Sequence, residues 1–169
     1  MTESLKLELP EYDQEAFNHR YDELGQYKVT LAEDPNSLGF TGLNKLSAQL
    51  QKMLDRVNEM AIQAEKWHAA SKAVAEATKC NFETKRDLLL VKYSADKDMF
   101  DSFRQLEAKV GAELKDERQL MNRAKVAQGL FSAYKKSVDS RYKNLETSRK
   151  SLEQQTNNFK RQNPPPSYS

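Results

Sequence analysis

From Leu43 onward, apolar side chains recur at intervals that alternate between three and four residues: Leu43, Leu46, Leu50, Met53, Val57, Met60, Ala64 and Trp67, then Ser71 and Val74. That spacing is the heptad repeat of a coiled-coil seam, which keeps one helical stripe turned toward a partner helix. The stripe fades after Val74, and Phe82, Leu89 and Tyr93 resume it in a shifted frame. A shift of this kind is a stutter, which locally unwinds a supercoil or marks a change of packing partner. No glycine or proline stands between Gly42 and Gly111, so the strongest helix punctuators are missing there. One helix over that stretch would be roughly 100 Å long at 1.5 Å per residue. The chain must therefore fold back on itself, assemble with copies of itself, or both.

The polar run Ser94-Ala95-Asp96-Lys97-Asp98 is the best place for a break, with Ser94 able to cap a new helix and Asp96 in its favourable first turn. It holds no Gly or Pro, so continuous helix through it stays open. A second seam follows through Phe103, Leu106, Val110, Glu113, Glu117, Leu120, Ala124, Ala127, Phe131, Tyr134 and Val138. It then continues through Arg141, Leu145, Ser148, Leu152, Gln155 and Phe159. Its polar members dilute it, and polar seam residues set register at a cost in stability.

The first 40 residues follow other patterns. Leu5, Leu7 and Leu9 alternate with Lys6 and Glu8 before Pro10, the period-2 mark of a half-buried strand. Gln26–Leu31 is also β-prone, with a short helix expected over 13–24 between the two. Residues 33–39 read as a loop, and 162–169 as a disordered, proline-rich tail. The expected fold is mainly all-α. Two long antiparallel helices over 41–161 form a coiled-coil hairpin, packed at about 20°, with a small mixed α/β segment over 1–40 and self-association into an oligomer.

Composition narrows the class. Hydrophobic residues make up 38% and charged residues 31%, enough apolar surface for a seam and too little for a wide core. No apolar run approaches the roughly 18 residues of a membrane span. The N-terminus lacks the basic-then-apolar layout of a signal peptide. Cys80 has no second cysteine to pair with. A cytoplasmic, reducing setting is the expectation.

The net charge of +2 hides an asymmetry. Residues 1–40 hold three basic side chains against nine acidic ones, a balance of −6; residues 119–163 hold ten against three, a balance of +7. The basic end suits a polyanion, and the acidic head suits a basic protein or shields the basic surface in self-assembly.

Catalytic patterns are missing from the sequence. His19 and His68 lack acid or cysteine neighbours at metal-ligand spacing, and neither GxxxxGK[ST] nor GxGxxG occurs. The chain is read as a non-enzyme with no cofactor and no metal. Basic residues offer more. Lys85, Arg86, Lys92 and Tyr93 sit late in the first long helix, and Lys135, Lys136, Arg141 and Lys143 in the second, with Tyr142 beside them. Cations that track a phosphate backbone, with rings on which bases stack, suit sequence-independent binding of single strands. The same residues also serve simply to solvate the outside of a coiled coil. In the tail, Pro165, Pro166 and Tyr168 form a PPxY pattern, a polyproline-type ligand for WW domains.

At Lys85-Arg86-Asp87, Lys92-Tyr93, Ser94-Ala95-Asp96-Lys97-Asp98 and Val138-Asp139-Ser140-Arg141, the chain resembles the UvsY family of phage recombination mediators. The resemblance covers residues 60–155 and rests on a Trp-containing helix (Trp67), a Lys/Arg-plus-Tyr segment, and a long helix with a Ser140-Arg141 step. It implies a small intracellular helical protein that binds single-stranded DNA as a ring-like oligomer. Such a protein helps load a RecA-type recombinase onto DNA covered by a single-strand-binding protein. It also implies that Lys85 and Arg86 contribute to DNA contact. The acidic head and the PPxY tail depart from that family. The competing reading is a structural coiled-coil adaptor or viral assembly scaffold. There the seam Leu43, Leu46, Leu50, Met53, Val57, Met60 and Trp67 drives oligomerisation, and the tail recruits a partner.

Overall fold

The computed structural model describes residues 14–34, 37–95 and 102–164. The protein is mainly helical. Among the described residues there are four helices and no strand: α1 (Gln14–Gln26), α2 (Gly39–Ser94), α3 (Phe103–Glu113) and α4 (Lys115–Gln162). They contribute to two compact units. The end unit contains α1, α2 up to residue 65 and α4 from residue 134; the mid-chain unit contains α2 from residue 66, α3 and α4 up to residue 133.

In the end unit the seam is buried largely where the periodicity puts it. Leu43, Leu50, Val57, Met60 and Ala64 are buried from α2, and Tyr134, Val138, Leu145 and Leu152 from α4. Leu46 and Met53 are half-buried on the flanks. Leu54 joins the core as well, because a third helix widens the apolar stripe beyond the two-helix seam. That third helix is α1, which buries Phe17 and Leu24 and sets the Phe17 ring edge-on to Tyr134 at 5.9 Å. Arg56 ties α1 to α2 through Glu23, 2.9 Å away. The two long segments run antiparallel within this unit: Glu65 pairs with Lys135 at 3.0 Å, while Lys160 lies 5.6 Å over the Phe40 ring.

The helix expected over 13–24 is α1. The β-prone stretch that follows makes no strand. Gln26 closes α1, and residues 27–32 have no regular structure. A strand needs a partner to satisfy its backbone groups, and none stands beside it among the described residues. Instead Gln155 donates to the Ala32 carbonyl at 3.5 Å, and the Tyr27 hydroxyl donates to Glu23 at 3.3 Å. The proposed strand at Leu5, Leu7 and Leu9 lies outside the described residues. α2 starts at Gly39, ahead of Leu43, with Gly39 at φ +61°, a conformation that glycine adopts without steric penalty.

In the mid-chain unit, Trp67 packs on Phe131 at 6.1 Å and Lys85 pairs with Glu117 at 2.7 Å, so these segments are antiparallel too. Ser71 is fully buried in the seam and donates its hydroxyl to the His68 carbonyl at 2.8 Å. This satisfies the polar group within its own helix. Phe82, Leu106, Val110 and Leu114 form the core, with Leu89, Leu90, Tyr93 and Met121 packed against it. The resumed stripe of Phe82, Leu89 and Tyr93 is therefore a packing stripe.

Three expectations change here. α2 ends at Ser94, and the helix that follows is capped by Ser102, whose side chain accepts from the Gln105 N–H at 3.3 Å; residues 96–101 are outside the described ones. A short break separates α3 from α4 at Leu114, φ −97° and ψ 22°. The hydrogen-bond ladder nevertheless continues, from the Leu114 N–H to Val110 and from the Arg118 N–H to Leu114. Leu106 and Val110 are buried where the second seam puts them, but between Val110 and Ala124 it is out of phase by one residue. Leu114 is buried and Met121 half-buried, while Phe103 is 65% and Leu120 54% exposed. Glu113 and Glu117 lie on the flanks. From Val110 to Met121 the stripe advances eleven residues in three turns, which a strict heptad does not allow.

Candidate nucleic-acid interface

The eight residues expected to contact DNA are divided four and four between the units. In the mid-chain unit, Lys85, Arg86, Lys92 and Tyr93 lie on the last turns of α2, and carboxylates answer their charge. Lys85 sits 2.7 Å from Glu117, and the ammonium holds that carboxyl below its ordinary value. Arg86 reaches the neighbouring Asp87 at 3.4 Å. The Tyr93 hydroxyl donates to Glu113, which raises the phenol and lowers the carboxyl. Lys109 also pairs with Glu113, at 3.3 Å, and Lys92 lies 5.5 Å over the Tyr93 ring. Arg86 edges a groove floored by Phe82, Leu90, Val110 and Leu114. This surface is close to charge-balanced, and its tyrosine is engaged.

The end unit differs. Lys135 is held between Glu65 at 3.0 Å and Asp139 at 2.8 Å, and those carboxylates raise its ammonium above the ordinary value, Asp139 most. Lys136, Arg141 and Lys143 form no ion pair among the described residues. Lys136, Lys143 and Lys150 are exposed at intervals of seven, two helical turns apart on one face. Lys136 also borders a second face, which Arg141 shares. There α4 and α1 form a groove, lined by Lys136, Ser137, Ser140, Arg141 and Asn144 from α4 and by Tyr21, Leu24 and Gly25 from α1. The α4 set has offsets of one, four, five and eight from Lys136, a single helical face; the α1 set has offsets of three and four.

The chain matches no protein-family model, no curated protein and no solved structure.

Tyr21 and Leu24 were missed by reading the basic residues alone. The signal was in the sequence: Phe17, Tyr21 and Leu24 stand at i, i+4 and i+7, an apolar stripe that has to pack on something. Tyr21 meets Tyr134 nearly perpendicular at 5.5 Å and remains 37% exposed. Burial pushes the Tyr134 phenol beneath it up. Pro165, Pro166 and Tyr168 lie outside the described residues. Among the described residues no group of three or more His, Cys, Asp or Glu side chains is placed to hold a metal ion, and no helix is long and apolar enough to cross a membrane.

Proposed function

We propose that this chain is a non-enzymatic, oligomeric helical protein that binds single-stranded DNA and acts as a recombination mediator, helping to load a RecA-type recombinase. One observation carries the DNA-binding part: Lys136, Arg141 and Lys143 gather on α4 of the end unit without ion pairs among the described residues. They stand in a chain end whose balance is +7, ten basic against three acidic residues over 119–163. Cations of this kind bind phosphates without sequence choice, and binding releases counterions. Lys150 extends the row. The loading role, and a contribution from Lys85 and Arg86, rest on the resemblance to UvsY proteins; a contribution from Lys92 and Tyr93 rests on the pattern of cations beside a stacking ring. On this reading the two long helices form one coiled-coil hairpin, and copies assemble so that basic rows add up to a continuous path. Fluorescence anisotropy of a labelled poly-dT oligonucleotide, titrated at two salt concentrations with duplex as competitor, tests it. Salt-dependent binding that prefers the single strand is the expected result. No binding at low salt overturns it.

A second reading, a coiled-coil adaptor or assembly scaffold, is favoured by the pairing of Lys85 with Glu117 and of Lys135 with Glu65 and Asp139. In it the basic side chains order the helices, and the Pro165, Pro166 and Tyr168 tail recruits a WW-type domain. Retention on heparin separates the two, since a scaffold has no need of it.

A further inference from the structure

The groove between α1 and α4 of the end unit combines two chemistries that the rest of that basic surface keeps apart. Lys136 and Arg141 border it as cations, Ser140 and Asn144 add a hydroxyl and an amide, and Leu24 and Tyr21 form the α1 wall. Lys136 and Arg141 are five residues apart, about 7.5 Å along the helix axis, and so reach different oxygens of one bound backbone. Tyr21 is fixed by an edge contact with Tyr134 at 5.5 Å and a tilted contact with Phe17 at 6.4 Å, yet keeps 37% of its surface exposed. A ring already immobilised loses little entropy when a base stacks on it. Bases in a duplex are covered by their neighbours; an unpaired base is free to stack on a side chain.

We infer that this groove is the strand-selective subsite, in which Lys136 and Arg141 hold phosphates while one unpaired base stacks on Tyr21. The inference rests on the single-strand reading above and goes further, since it assigns the preference for single strands to a tyrosine on α1. The outer row of Lys143 and Lys150 supplies attraction to any polyanion. The groove supplies the discrimination.

The competing account is structural: the stems of Lys136 and Arg141 cover Leu24, and their charges complement the C-terminal end of α1. Three probes separate the two in the full-length protein: a dT oligonucleotide, an abasic strand of equal length, and a duplex. Wild type binds dT more tightly than the abasic strand or the duplex. Tyr21→Leu, with helicity checked by circular dichroism, brings the dT affinity down about tenfold toward the abasic value, the size of one lost stacking contact. Tyr21→Phe keeps the preference. Should Tyr21→Leu lose helicity, Ser140→Glu takes its place: Ser140 is exposed at the groove, and a carboxylate there repels phosphate without entering the core. If wild type prefers dT while Tyr21→Leu (or its replacement) and the Lys136→Gln/Arg141→Gln pair retain both affinity and preference, the groove assignment is overturned and DNA binding stands. If wild type binds none of the probes at low salt, the single-strand reading falls and takes the groove with it.

Discussion

Leu120 and Met121 are adjacent and both apolar, and the three-to-four rule accepts either one as the step back from Ala124. The structure half-buries Met121, and with it selects Leu114 over Glu113 for the core. Leu114→Ala is expected to cost about 2–5 kcal/mol, the range for a buried leucine that leaves a cavity. Leu120→Ala is expected to stay within about 0.5 kcal/mol. Urea unfolding of the two variants checks this, and equal costs would return the seam to the frame read from sequence. The same neighbourhood sets an acid response. Glu117 and Glu113 have folded-state values below 4.5, held there first by Lys85 and by Tyr93 respectively. A carboxylate lowered on folding stabilises above its unfolded value, and that contribution is lost as pH falls through the folded value. Glu117→Gln should therefore flatten the decline of stability below pH 4.5, read from unfolding midpoints on the acid limb. An unchanged limb would mean that the Lys85 pair is worth nothing in solution, the usual fate of exposed ion pairs. Tyr93 runs the other way. Its value is raised above 10.0 by the bond to Glu113, so its contribution is present below pH 10 and is lost as pH rises through the folded value.

At the scale of elements, the chain shows why a break is easier to place than to cap. Ser94 and Ser102 both stand before helix-forming residues, and both suit an N-cap by type. Ser102 is the cap because its backbone is extended, φ −155° and ψ 154°, which aims its oxygen at the Gln105 N–H. Ser94 is the last residue of α2. Ser102→Ala is expected to destabilise the protein by about 1 kcal/mol, and Ser102→Asp to restore most of it. Hydrogen exchange at the first-turn amides of α3 reads the loss locally. The stretch after α1 gives the complementary lesson. Val29, Thr30 and Leu31 have β propensity, but propensity there measures fit to a neighbouring strand. With none beside it among the described residues, the segment is irregular between α1 and the turn at Ser37, whose hydroxyl donates to the Asp34 carbonyl at 2.7 Å.

For the whole molecule the prediction is electrostatic. If Lys136, Arg141, Lys143 and Lys150 each neutralise one phosphate of a single strand, the logarithm of affinity falls with the logarithm of salt at a slope of about −3. Lys143→Gln should reduce that slope by about 0.7 and leave helicity alone, since its side chain is exposed. Anisotropy titrations over a salt series measure both, and a slope unchanged in the variant would remove Lys143 from the interface. The sequence by itself determined the helical class, most of the end-unit seam and the division of charge along the chain. Helical periodicity and net charge are sums over neighbours in one dimension, so Leu43, Leu50, Val57 and Leu152 disclose their burial before any fold is known. Only the tertiary structure decided which cations remain available. Lys85 and Lys136 look alike in sequence, but Glu117, 32 positions away, reaches the first, while the second faces a groove completed by α1. An ion pair or a groove wall made by a distant segment leaves no mark on local spacing, and so the difference between a lysine paired with a carboxylate and one left at a groove exists only once the chain has folded.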